Sequence, residues 1–270
     1  MKRAFLVFSL LVASLLLAAC ERESAREAQV PPDAVVTQCE LTMGWDPWEP
    51  YHYMDPRGNM QGMDIDLIRA MAAGAGCSVS FERDHWSSLL GRVRRGEIDL
   101  ISGATLTPER EVFARFSDPY RDETFGLFLR RGEAADYPSD SLAAMLQAGM
   151  KIGFTDDYIY GPEVQALQAD PAYSEQFVGA ELGEIHTTRL LDGVIDAYLE
   201  DVVVGTAIIR RRGLEQQIAL HPLDLSSGGE VRLMFSRESV PEDVVARFDA
   251  ALAGLRESGQ YDEITGLYVQ

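Results

Sequence analysis

Arg110 closes the segment Thr107-Pro108-Glu109-Arg110, in which Thr107 reads as a helix N-cap and Pro108 as the first helical residue. A cation in the first turn of a helix is opposed by the helix dipole, so this guanidinium wants an anion. Glu109 and Glu111 offer a local one; a bound anionic group is the alternative. Two tryptophans stand out beside it. Trp86 shares a helical stripe with Leu89, Leu90 and Val93, which suits a buried wall as well as a contact surface. Trp48 lies in Trp45-Asp46-Pro47-Trp48-Glu49-Pro50-Tyr51, a proline-bearing loop where a core role is less expected. Glu49, Glu200 and His186 are available as acids, yet none belongs to a nucleophile–base constellation, so no enzymatic activity is expected. Cys39 and Cys77 have no metal-ligand spacing with any histidine; neither a metal site nor a cofactor is expected.

The elements that must hold these residues alternate between strand and helix. Residues 39–44 and 78–82 read as short strands, and between them 63–75 carries Ile65, Ile68, Met71, Ala72 and Ala75 at helical spacing. The Trp86 helix ends at Gly96, ahead of a strand over 98–102. After a polar stretch at 130–141 the order repeats: a strand over 150–154, short helices over 164–167 and 187–191, and a strand over 195–199. Gly96-Glu97-Ile98-Asp99 is echoed by Gly193-Val194-Ile195-Asp196 at the same kind of junction, which suggests two similarly built units. A strand over 231–236 and a helix over 241–257 end the chain and should return to the first unit. Such βα order predicts parallel sheets flanked by helices, with ligands held beyond the carboxyl ends of the strands.

The N-terminus sets the compartment. Lys2 and Arg3 precede an apolar run over 4–16 that is too short to span a bilayer, and Leu17-Ala18-Ala19-Cys20 follows at once. This reads as a signal peptide over 1–20 and is similar to a lipobox, which implies acylation of Cys20 and a membrane anchor. Residues 21–37, charged and then proline-bearing, read as a flexible tether. The formal net charge of −19 argues against nucleic acid as a partner. With Cys20 spent on the anchor, Cys39 and Cys77 form an even pair in an oxidising compartment. Both open strands that the βαβ pattern makes parallel neighbours, so a disulfide is expected, two buried thiols being the alternative.

Four segments, in order, carry a resemblance: Gly62-Met63-Asp64-Ile65-Asp66-Leu67; Trp86-Ser87-Ser88-Leu89-Leu90; the run from Gly96-Glu97-Ile98-Asp99 through Thr107-Pro108-Glu109-Arg110; and Phe116-Ser117-Asp118-Pro119-Tyr120. With Gly193-Val194-Ile195-Asp196-Ala197 and Asp201, the chain resembles the polar amino-acid family (family 3) of bacterial extracellular solute-binding proteins. That resemblance implies a type II periplasmic-binding-protein fold: an α/β architecture of two lobes, each a mainly parallel sheet flanked by helices, joined by two crossing strands. The expected division is lobe 1 over 38–130 plus 225–270 and lobe 2 over 131–224.

The resemblance also implies a role. The protein would bind an amino acid or similar small zwitterion between its lobes, close on it, and deliver it, as a monomer, to the permease of an ABC-type transporter. Arg110 would hold the ligand's α-carboxylate, with a hydroxyl from Thr105 and backbone from Ser102 and Gly103. Asp201 would accept the α-ammonium, Glu200 being sent to the opposite face by strand alternation. Trp48 and Trp86 would sandwich the aliphatic part, and Thr155 would add a second carboxylate contact. Family members often open a helix with a Gly-Thr pair here, whereas this chain has Gly153-Phe154-Thr155-Asp156-Asp157, which reshapes that side of the pocket. Two alternatives go with this reading: an enzyme on the same fold, similar to cyclohexadienyl dehydratases, and a sensor that presents its ligand to a receptor.

Overall fold

A computed structural model describes residues 39–137, 141–225 and 228–268. The expected signal peptide, Cys20 and the tether lie outside the described residues. The chain begins with β1 (Cys39–Trp45), β2 (Tyr53–Met54), β3 (Met60–Gln61), α1 (Met63–Gly74), β4 (Cys77–Arg83), α2 (Trp86–Arg95), β5 (Leu100–Thr105), α3 (Pro108–Glu111), β6 (Ala114–Phe116) and β7 (Arg121–Arg130). It continues with α4 (Leu142–Gln147), β8 (Ile152–Thr155), α5 (Pro162–Ala169), β9 (Phe177–Ala180), α6 (Ile185–Leu191), β10 (Ala197–Asp201), α7 (Val202–Arg212) and β11 (Ile218–Leu220). The strand β12 (Gly228–Ser236) and the helices α8 (Glu242–Ser258) and α9 (Gln260–Gly266) complete it.

The fold is the two-lobed type II arrangement of periplasmic binding proteins. In the first lobe β4, β1 and β5 run parallel, and β12 adds antiparallel to β5. Strand alternation splits the core between the two faces. Leu100 of β5 packs with Met43, Ile68 and Phe248 under α1 and α8, while its neighbour Ile101 packs with Trp86, Leu89 and Val93 of α2. Cys39 and Cys77 lie in register at the start of β1 and β4 and are joined by a disulfide.

The second lobe repeats the plan with β9, β8 and β10 parallel and β7 antiparallel to β10. The four-residue echo marks equivalent joints. Asp99 accepts the backbone N–H of Thr42, midway along β1, at 2.7 Å, and Asp196 accepts that of Lys151, just before β8, at 2.9 Å, so each aspartate ties its strand to the neighbouring parallel one.

A long strand absent from the sequence reading links the lobes. Arg121–Thr124 of β7 pairs with β12, and from Phe125 onward the same strand pairs with β10 and β11. The crossing therefore lies between Thr124 and Phe125, and residues 125–130, expected in lobe 1, hydrogen-bond into the second sheet. The polar stretch at 130–141, read from sequence as the boundary between the units, follows this change of partners.

Candidate functional site

The carboxyl ends of β1, β5 and β10 face one cleft. Trp48, Trp86, Ser102, Gly103, Thr105 and Arg110, all singled out from sequence, line one small cavity there, together with Asp46, His52, Glu123, Phe125, Tyr158 and Ile159. Gly103 has to be glycine. Its φ is +67°, and a Cβ would lie 3.0 Å from the Trp48 ring. Ser102 Oγ is buried at this cavity with no hydrogen-bond partner among the described residues.

Arg110 is buried. Thr107 caps α3 as expected, its hydroxyl accepting the Arg110 N–H at 3.3 Å. The guanidinium forms no ion pair with Glu109 or Glu111; it donates to the Thr105 carbonyl at 3.0 Å and, across the cleft, to the Asp157 carbonyl at 2.8 Å. Burial pulls its pKa below the ordinary arginine value. Trp86, facing the guanidinium at 5.5 Å, donates its indole N–H to the same Asp157 carbonyl at 3.2 Å.

Thr155 and Asp201 are buried nearby but do not line this cavity. Asp201 is the N-cap of α7: its Oδ1 accepts from Val203 and Val204 at 2.9 and 3.0 Å and from the Tyr51 hydroxyl at 3.3 Å. Glu200, set aside in the sequence reading as facing away, is buried at the cleft and lines a second cavity beside the first. Alternation does send the two side chains apart. At the last residues of a strand, however, both faces open onto the crevice, and the start of α7 claims the Asp201 carboxylate. Gly183 approaches this corner so closely that a Cβ would sit 2.8 Å from Glu200 Oε2 and 2.9 Å from Thr155 Oγ1.

Sequence reasoning missed Glu123 and Tyr158. Along β7 the burial alternates, so Arg121, Glu123 and Phe125 point inward. Arg121 is neutralised by the buried Asp64 at 2.9 Å and lies over the Tyr51 ring at 3.7 Å. Glu123 has no such partner; its carboxylate lies 3.4 Å from the Thr105 hydroxyl, and burial pushes its pKa up to about 8. Burial also lifts Glu200 to about 8 and raises Asp46. His186 is buried behind β8 with Nε2 2.8 Å from the Phe154 carbonyl, and burial lowers it to about 4. Glu49 is ion-paired with Arg211 at the rim.

The cleft is therefore a slot with one arginine that forms no ion pair among the described residues, two indoles, and more acids than bases. Residues 41–270 match the bacterial extracellular solute-binding proteins, family 3. The chain belongs to that family. It is similar to a probable histidine-binding protein of Neisseria gonorrhoeae, 28% identical over 81% of this chain and 78% of the relative. In structure it resembles a histidine kinase sensor domain with similarity to periplasmic binding proteins (TM-score 0.74, 23% identity, 86% of this chain and 96% of the other). It also resembles an arginine-, lysine-, histidine-binding protein of Geobacillus stearothermophilus (TM-score 0.71, 24% identity, 85% and 94%). Among the described residues no helix is long and apolar enough to cross a membrane.

Proposed function

We propose that this family 3 protein is the substrate-binding lipoprotein of an ABC-type transporter, anchored through Cys20, and that it binds a cationic amino acid between its lobes for delivery to the permease. The carrying observation is Arg110: a buried guanidinium, opening on a cavity, whose partners are two neutral carbonyls. A buried cation without an anion is costly, and a carboxylate matches its paired donors. The orphan hydroxyl of Ser102 and that of Thr105 stand ready for the same group. Asp46, Glu123 and Glu200 line the cavities, and each can give up its proton to pair with a ligand carrying net positive charge. The relatives, a probable histidine-binding protein and an arginine-, lysine-, histidine-binding protein, point the same way.

The test is calorimetric titration of the purified protein with histidine, arginine, lysine and glutamate. A basic amino acid should bind and glutamate should not. A ligand at about a hundred times its dissociation constant should add roughly 2.7 kcal/mol of stability. Arg110→Ala should cost roughly 2 to 5 kcal/mol of binding. Near-native affinity in that variant removes the carboxylate from the proposal.

One observation favours a second, enzymatic reading. Glu123 and Glu200, both held near 8, are carboxyl groups protonated at neutral pH inside the cleft, the form a general acid needs. Chromatographic loss of prephenate or arogenate on incubation with the protein would establish it.

A further inference from the structure

The loop between β8 and α5 carries Asp156-Asp157-Tyr158-Ile159-Tyr160 into the cleft. The Asp157 carbonyl takes hydrogen bonds from both Arg110 and Trp86. The Tyr158 ring meets Trp86 edge-on with centroids 5.7 Å apart and Trp48 edge-on at 6.1 Å. Its hydroxyl donates to Asp46 Oδ2 at 3.3 Å. One dipeptide thus answers the guanidinium, both indoles and an acid of the candidate site.

Two features go beyond ordinary packing. Asp157 is the one non-glycine residue with positive φ, +61°, among the described residues, a backbone state that costs energy and tends to occur where function holds it. In addition, Asp46, Trp48 and Tyr158 line both neighbouring cavities, so Tyr158 is part of the wall between them.

We propose that Asp157 and Tyr158 are a built-in occupant of the ligand site, held by Arg110, Asp46 and the two indoles and displaced when ligand enters. The proposal rests on reading this cavity as the ligand site. The neutral Asp157 carbonyl is a weaker partner for Arg110 than a carboxylate, so a ligand anion wins that position. Displacing Tyr158 frees Asp46 and joins the two cavities, which brings Glu200 within reach of the same ligand. Tyr158 is then a specificity-determining residue. A competitor must supply an anion to Arg110, an apolar span for the indoles and a hydrogen-bond donor to Asp46, or it fails to repay the contacts the loop gives up.

The test compares the purified protein with Tyr158→Ala and Tyr158→Leu, each checked for folding by circular dichroism. Without ligand, acrylamide quenching of tryptophan fluorescence should rise in both variants as Trp48 and Trp86 lose their cover. In calorimetry, arginine or histidine should bind Tyr158→Ala about tenfold more tightly, as removal of a competing hydrogen-bonded occupant predicts. Weaker binding would make the ring a ligand contact and overturn the proposal, as would unchanged quenching. Tyr158→Leu removes the hydroxyl bond to Asp46 and the ring contacts to both indoles with a smaller loss of core volume, and carries the same two readouts if the alanine variant does not fold. Should neither amino acid bind any of the three proteins, the amino-acid reading fails, and the quenching result alone decides whether the loop is an occupant.

Discussion

The Trp48 indole N–H donates to Glu200 Oε1 at 3.2 Å, joining two buried residues 152 positions apart on opposite sides of the cleft. The acceptor is a carboxyl group that burial holds near pKa 8, and Glu123 titrates in the same range. Both are neutral in the folded protein at pH 6.5, whereas in the unfolded chain both ionise near the ordinary carboxylate value. The folded state therefore binds more protons, and stability falls as pH rises toward 8. His186, lowered to about 4, acts oppositely, but only below about 6.5, where the unfolded histidine gains its proton. Urea unfolding of the ligand-free protein between pH 6.5 and 8 should show declining stability, with a shallower slope in Glu123→Gln/Glu200→Gln. An identical slope in the double variant would contradict the assignment.

Cationic ligands should reverse that trend in binding. They need the carboxylates ionised, so each group that must lose its proton weakens affinity up to about tenfold per pH unit below 8. Titration of a basic amino acid at pH 6, 7 and 8, in buffers of different ionisation enthalpy, should show tighter binding and less proton release at the higher pH.

Asp201 is predicted to be structural. Asn can accept the same N–H bonds at the start of α7, so Asp201→Asn should leave stability near native, whereas Asp201→Ala should cost about 1 to 2 kcal/mol as the cap is lost. Thermal unfolding separates the two. If both variants also bind ligand normally, the ammonium acceptor lies elsewhere, and Glu123 or Glu200 becomes the candidate.

Asp64 and Arg121 form a buried pair beneath Trp48 and Tyr51. Asp64→Asn strands the arginine charge and should destabilise the protein by about 3 to 5 kcal/mol. The readout is the urea midpoint, and a change under about 1 kcal/mol would show that the charge relaxes to another partner.

The Cys39–Cys77 bond spans 38 positions, for which chain entropy gives about 4 kcal/mol. The Cys39→Ala/Cys77→Ala variant should show that loss in chemical unfolding while retaining its circular dichroism spectrum.

Local pattern was enough to place β1, α1, β4 and α2, because each buries one face and its apolar period says which. The Thr107 cap and Pro108 start likewise read directly from sequence, since capping needs only neighbours a few residues away. The cysteine pairing followed from strand order, and the residues around Arg110 from their place at strand ends. Tertiary structure decided what depends on distant partners. Residues 121–130 form one strand that went unread, and nothing in them marks where they leave one sheet for the other, because the change lies in which strands pair beside them. Glu123 and Glu200 are ordinary acids in sequence, and only burial against an opposite lobe makes them neutral near pH 7. Tyr158 sits in a stretch whose departure from the family pattern was visible, but a ring wedged between Trp48 and Trp86 requires two lobes to meet, and no local interaction encodes that.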